Sequence, residues 1–262
     1  MRPLSAYLRN VPKAHRYAAW FGSACATFRQ PLGFLLHYVR QSVPRRGLVQ
    51  MRNGTRIHLS GHAHDVITLF VIFVRRDYGR LPAAATVVDI GANIGAFALF
   101  AAREGARKVI AFEPNSAAYA CMLRNISENG LEDVVLPRQL AVTASAGGQV
   151  RFPVAASVYN RIAAPDARGE HETVATTNLA RIVADDAPGG IDVLKLDCEG
   201  AEYDILLAPD APLERVREIR MEYHGGRGAE LAQFLARRGF SITRFVADGP
   251  LTGMLWARRT AA

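Results

Sequence analysis

The chain is poor in cysteine and in lysine, and it has no acidic residue before Asp65. Cys25, Cys121 and Cys198 are odd in number, widely spaced and without a Cys-x-x-Cys pair, which excludes a disulfide framework and a structural zinc site and points to a reducing, cytoplasmic compartment. Only Lys13, Lys108 and Lys195 among the 32 basic residues are lysines, a compositional bias to which no function attaches. A long apolar run is also missing. Tyr17–Val39 comes nearest, but Arg29, Gln30 and Pro31 interrupt it, and a spanning helix needs about 20 mostly apolar residues. Its basic start and small residues near Ala24 and Ala26 make only a poor signal peptide. A helix lying on a membrane surface or covering the core fits this stretch better. No internal repeat or low-complexity segment is present.

What is there is unevenly placed charge. Residues 1–60 hold ten Arg or Lys, whereas the remaining 22 basic and 24 acidic residues nearly cancel, so the formal charge of +8 belongs to the N-terminal segment. Such an arm, residues 1–50, is drawn to anionic surfaces: nucleic acid, acidic lipid headgroups or lipid-linked phosphates. Within it Leu32, Leu35, Leu36 and Val39 recur at helical spacing, a stripe suited either to insertion between headgroups or to a lid packed on the core.

From Thr86 the chain alternates buried strands with helices. Thr86–Ile90 is an apolar strand, Gly91–Gly95 a turn and Ala96–Arg103 a helix; Val109–Phe112 is a second strand, followed by a helix from Pro114 to the Asn129-Gly130 stop. Val134–Leu140 is a third strand. Between Ala141 and Ile191 the pattern weakens into an insertion over the sheet edge, with strands at Gln149–Val154 and Thr173–Thr177 and a helix at Leu179–Val183. Asp192–Leu196, a helix at Ala201–Leu207, Glu218–Tyr223 and a helix at Ala229–Arg238 restore the alternation. Phe240–Val246 and Thr252–Ala257 close as a hairpin. The expected fold is α/β: a doubly wound, mostly parallel, seven-stranded Rossmann-like sheet with a C-terminal antiparallel hairpin supplying an antiparallel edge strand, preceded by a basic helical segment.

In such sheets ligands sit beyond the carboxyl ends of the strands. Asp89-Ile-Gly-Ala-Asn-Ile-Gly95 is the first loop there: Gly91 permits a positive-φ turn close to a ligand, Gly95 permits tight helix packing, and Asn93 offers a side-chain oxygen. Glu113 ends the second strand 22 residues after Gly91, near the spacing of about 20 at which a carboxylate meets ribose hydroxyls. Position 93 is Asn and no third glycine follows at 96 or 98, so a pyrophosphate cradle is lacking and S-adenosylmethionine is favoured over NAD.

Val88-Asp-Ile-Gly-Ala-Asn-Ile-Gly-Ala-Phe97, Ala111-Phe-Glu-Pro-Asn115 and above all Leu194-Lys-Leu-Asp-Cys-Glu-Gly-Ala-Glu-Tyr-Asp-Ile-Leu206 resemble the FkbM family of methyltransferases, from about Arg52 to about Tyr223. Arg52-Asn-Gly-Thr-Arg-Ile57 resembles the family's leading strand, while residues 1–50 lie outside the match and Val142–His171 is only loosely similar. The resemblance implies a methyltransferase domain over residues 51–262 that uses S-adenosylmethionine to methylate hydroxyls of sugars, glycolipids, polyketides or other natural products. It implies cofactor contacts from Asp89, Gly91, Asn93, Gly95 and Glu113, adenine packing on loop residues Ala141 and Val142, and Asp197 pointing toward the methyl-transfer position.

Methyl transfer is an in-line displacement that needs alignment, and an alcohol acceptor must also lose a proton. Candidate bases are Asp197, Glu199 and Glu202 after the fourth strand and Glu222 and His224 after the fifth, with His224, which titrates nearest neutral pH, the first choice. Clustered acids also suggest an alternative magnesium-type site from Asp197, Glu199 and Glu222, although Glu202 reads equally as a helix-face carboxylate and Glu199 as a cap for the helix near Gly200. Cys198 is placed in the core, and Tyr78 either at the entrance or in packing. The rivals are a nucleic-acid methyltransferase, disfavoured because Asp197-Cys-Glu-Gly replaces an Asn/Asp-Pro-Pro-aromatic turn, and a non-catalytic adenosyl-binding module docked to anionic membrane through residues 1–50.

Overall fold

The computed structural model describes residues 11–154 and 170–260. The middle of the loosely matching insertion, together with Arg2 and Arg9 of the arm, lies outside the described residues. The chain divides into two compact units, Met1–Asp77 and Tyr78–Ala262, where the sequence draws its boundary at 50/51.

In the first unit, helices α1 (Val11–Thr27) and α2 (Pro31–Arg40) precede strands β1 (Leu48–Gln50) and β2 (Arg56–His58), helix α3 (Ala63–Leu69) and a π-helical turn at Phe70–Arg75. Aromatic packing organises it: Phe34 stacks on Phe28 at 3.8 Å and Tyr38 on Phe70 at 3.9 Å between ring centroids. These contacts turn one face of α2 inward. Of Arg52-Asn-Gly-Thr-Arg-Ile57, expected as a leading strand, only Arg56 and Ile57 lie in a strand, β2; residues 52–55 form the turn joining β1 to β2, which pair antiparallel with Val49 opposite Ile57. No helix among the described residues is long and apolar enough to cross a membrane.

The second unit holds a seven-stranded sheet made of β3 (Thr86–Ile90), β4 (Lys108–Phe112), β5 (Val135–Arg138), β9 (Ile191–Leu196), β10 (Val216–Tyr223), β11 (Phe240–Ala247) and β12 (Gly253–Arg259). Their order is β11-β12-β10-β9-β3-β4-β5. Helices α4 (Ala96–Arg103), α5 (Ser116–Glu128), α6 (Leu179–Asp185), α7 (Glu202–Leu206) and α8 (Gly228–Arg237) join the strands. The central strands are buried along their length, as expected of parallel strands covered on both faces. Pro137, which cannot donate to a ladder, falls on the edge strand β5.

Three expectations need correction. The antiparallel strand is not at the edge: β12 lies between β10 and β11, antiparallel to both, and β11 is the edge. Burial explains this, since β12 is apolar and mostly buried while β11 alternates and is largely exposed. Helix α5 does not begin at Pro114; Asn115 caps it, accepting from the Ala118 amide at 2.9 Å, and Pro114 precedes the cap. Ala141–Val142 is not a loop but a short strand, β6. It pairs parallel with β8 (His171–Thr177), which pairs antiparallel with β7 (Gln149–Pro153), forming a separate three-stranded sheet. That sheet is tied to the start of α5, because Asn115 Nδ2 donates to the carbonyls of Pro153 and Val154 and the Ser116 amide donates to Glu172.

Candidate active site

The loop after β3 is clamped at the carboxyl end of the sheet. The amides of Gly91 and Ala92 both donate to the Phe112 carbonyl, at 3.1 and 2.9 Å, and Gly91, Asn93 and Gly95 have φ of +77°, +50° and +80°. A Cβ on Gly91 would stand 1.9 Å from the Asp197 carbonyl oxygen, and one on Gly95 would stand 2.8 Å from Met122 Cγ. Gly91 thus lets the loop touch the end of β9, and Gly95 lets α4 approach α5.

Glu113 is nearly buried beside this loop, Oε2 accepting from the Asn93 amide and Oε1 from the Asn115 amide, both at 2.8 Å. Burial raises its pKa to about 7, against the pull of those two amides. Each oxygen retains lone-pair capacity for a further donor. Asp89 is fully buried. Its Oδ1 lies 2.9 Å from Lys195 Nζ, which also donates to the Gly91 carbonyl at 2.8 Å. Asp89 therefore acts on the loop through Lys195. Burial disfavours the ammonium charge of Lys195, but Asp89 and then Asp197 outweigh it and raise its pKa. Lys195 is not among the site residues expected from sequence, although its place between Leu194 and Leu196 in a buried strand is a signal. A lone cation there requires an opposite charge, and Asp89 is its register partner.

The acidic loop after β9 meets the end of β10. Glu202, read from sequence as a candidate base or a helix-face carboxylate, is fully buried, and its Oε1 lies 2.7 Å from His224 Nδ1. Its other oxygen has no hydrogen-bond partner among the described residues. His224 Nε2 lies 3.7 Å from Glu199 Oε2. Burial works against the imidazolium, but the bond to Glu202, then the charges of Glu202, Glu199 and Asp197, prevail and push its pKa up to about 9. His224 thus holds its proton at neutral pH, contrary to the expectation of a group poised there. Glu222 is pushed to about 8 by burial and then by the charge of Asp197. Glu199 does not cap the helix; it sits at φ +55°, ahead of α7, whose cap position is Ala201.

Tyr78 does not line an entrance. It is buried, tilts against Phe97 at 5.0 Å, and donates its hydroxyl to Asp197 Oδ2 at 3.3 Å. Arg220, itself buried, holds the segment by donating to the carbonyls of Tyr78 and Arg80. Tyr78→Phe should cost about 1 kcal/mol, the net worth of one hydrogen bond, readable in a denaturant melt. Cys198 packs against the main core. Ala141 and Val142 are buried, Ala141 in the small sheet and Val142 in the main core.

The described residues bring Asp197, Glu199 and His224 together, with one ligand atom from each within 4.8 Å of the others. His224 takes the place that Glu222 had in the expected metal set. A protonated imidazole suits magnesium poorly, since that ion prefers six oxygens.

The family model "Methyltransferase FkbM domain" matches residues 89–242. Methyltransferase sdnD of Sordaria araneosa is 28% identical over 208 residues, covering 66% of this chain and 80% of the relative. Hexuronic acid methyltransferase AglP of Haloferax volcanii is 23% identical over 224 residues, covering 82% and 84%. AMB antimetabolite synthetase AmbE of Pseudomonas aeruginosa is 29% identical over 224 residues, covering 66% of this chain but only 10% of that relative's length. The glycine loop, the carboxylate ending β4 and the acidic turn ending β9 all fall within the matched span, and the chain belongs to the FkbM methyltransferase family.

Proposed function

We propose that the chain is an O-methyltransferase that uses S-adenosylmethionine and acts on a hydroxyl of a sugar, glycolipid or other natural product. One observation carries the reading: a carboxylate suited to a ribose diol, Glu113, and a proton-handling cluster of His224 with Asp197 and Glu199 share the carboxyl edge of one sheet. The name of AglP, a hexuronic acid methyltransferase, supports a sugar acceptor.

In this reading Glu113 accepts the two ribose hydroxyls, while Gly91, Asn93 and Gly95 present backbone to the cofactor. Asp89 and Lys195 hold that loop from behind. The cofactor, when bound, supplies an electrophilic methyl group. Asp197 and Glu199 orient the acceptor hydroxyl and take its proton, and protonated His224 steadies the developing negative charge. With His224 as cation, turnover should fall as pH rises through about 9; turnover rising through that value would instead make His224 the base. Activity should survive EDTA.

The cofactor assignment is tested by titration calorimetry with S-adenosylmethionine, S-adenosylhomocysteine and NAD. Glu113→Ala should weaken adenosyl binding by about 1.5–3 kcal/mol. Because the variant also strips two amides of their acceptor, pH supplies the cleaner readout. The ribose hydroxyls favour the ionised carboxylate, so wild-type affinity should rise as pH climbs through about 7, and that rise should vanish in Glu113→Ala. A folded Glu113→Ala protein with wild-type affinity and pH profile would overturn the assignment.

A further inference from the structure

Helix α2 has two faces of unlike character. Phe34 and Tyr38, one turn apart, pack inward on Phe28 and Phe70. On the other side Leu32, Leu36 and Val39 follow the i, i+4, i+7 spacing of a single stripe, and they are 70%, 47% and 75% exposed. The neighbouring helix α1 adds Tyr17 and Phe21, also one turn apart and 60% and 48% exposed. Single exposed leucines need no explanation, but an aliphatic stripe along a whole helix does.

The surrounding charge indicates what covers it. Arg16, Arg29, Arg40, Arg45 and Arg46 are all exposed in the same unit, and no acidic residue precedes Asp65. Exposed apolar side chains in a segment that carries exposed arginines and no acidic residue are what a negatively charged lipid surface takes: hydrocarbon receives the stripe and headgroups receive the arginines. A second copy would bring two like-charged segments together, which opposes self-association through this face. Nucleic acid would satisfy the arginines but leave the aliphatic stripe in water.

We infer that the α1–α2 segment docks the protein peripherally on an anionic bilayer, with Leu32, Leu36 and Val39 inserted at the headgroup boundary. This stands apart from the catalytic reading and is read without activity. The test is co-sedimentation of the full chain with vesicles of phosphatidylcholine alone or mixed with phosphatidylglycerol, at low and high salt. The protein should pellet with the mixed vesicles only and be released as salt rises. Leu32→Ser/Val39→Ser leaves the charge unchanged and alters exposed positions, so the variant should melt like wild type while its partition coefficient falls about tenfold. The inference is overturned if the protein ignores both vesicles, pellets equally with both, or binds undiminished after the double substitution. A wild-type dimer in sedimentation velocity that the substitutions make monomeric overturns it too, as does RNA binding unaffected by the substitutions in a protein that ignores the mixed vesicles.

Discussion

His224→Ala is expected to cost the protein about 3 kcal/mol or more in stability and to lower turnover about a hundredfold or more, while a residual cofactor site remains. The stability loss arises because Glu202 is fully buried and His224 is its cationic partner; without the imidazole, a carboxylate is left in the core with no opposite charge. Glu202→Gln keeps the shape and an acceptor for Nδ1–H but removes the charge, so it separates packing from electrostatics. The pH dependence has a definite sign. A histidine whose folded pKa is about 9 against an ordinary value of about 6.5 contributes stability that is complete below about 6.5 and lost as pH rises through about 9, on the order of 2–3 kcal/mol. Glu222, raised to about 8, and Glu113, raised to about 7, act in the same direction, since an acid that resists ionisation in the fold penalises it increasingly above the ordinary carboxylate range. Melting temperature should therefore fall between pH 6 and 9, and Glu202→Gln should flatten the upper part of that curve. A wild-type melting temperature that rises over this interval would contradict the buried His224–Glu202 pair.

Gly91→Ala should have the second large effect, and through a different cause. The added methyl would meet the Asp197 backbone oxygen at 1.9 Å, and a φ of +77° is strained for any residue with a Cβ. Neither obstacle is the yielding tip of a side chain. Relief requires the loop to leave the end of β9, which breaks the Gly91 contacts to the Phe112 carbonyl and to Lys195 together. We expect a loss of about 3 kcal/mol or more in a denaturant melt, and adenosyl binding below calorimetric detection. Gly54→Ala is the control. Gly54 also has positive φ, but its added Cβ would meet nothing within 4 Å, so only the smaller backbone strain should register. Equal losses in the two variants would show that close approach at Gly91 contributes nothing.

The elements most legible in the sequence were those whose residues face one environment throughout. Val87, Val88 and Ile90 are buried wherever they point, so a short apolar run sufficed to place β3, and Gly91 and Gly95 marked the turn because only glycine meets its backbone demands. The position of β12 was harder to read, because a hairpin pattern specifies that two strands pair, not which lies inside. The discriminating signal was present in the contrast between the apolar Gly253-Met-Leu-Trp-Ala257 and the alternating Phe240-Ser-Ile-Thr-Arg244. Glu202 was ambiguous for another reason: α7 is barely more than one turn long and buries all but Asp204, so no helical periodicity separates an inward from an outward carboxylate. His224 is legible as a residue but not as a cation, since its proton depends on three carboxylates, Asp197 and Glu199 in the loop after β9 and Glu202 in α7, that the fold brings to the end of β10.

The threading of β12 between β10 and β11 sets an order on assembly as well as a topology. During synthesis β11 emerges before the strand that separates it from the rest of the sheet, and β10 carries an unpaired backbone edge until β12 arrives. Two ready templates for strand pairing therefore coexist in the nascent chain, and a direct β10–β11 association would close the sheet without its penultimate member. The tight turn around Asp248, whose amide donates to the Thr252 carbonyl, counters this by returning β12 onto β11 locally, so that the two enter the sheet as a preformed hairpin whose free β12 edge alone remains to meet β10.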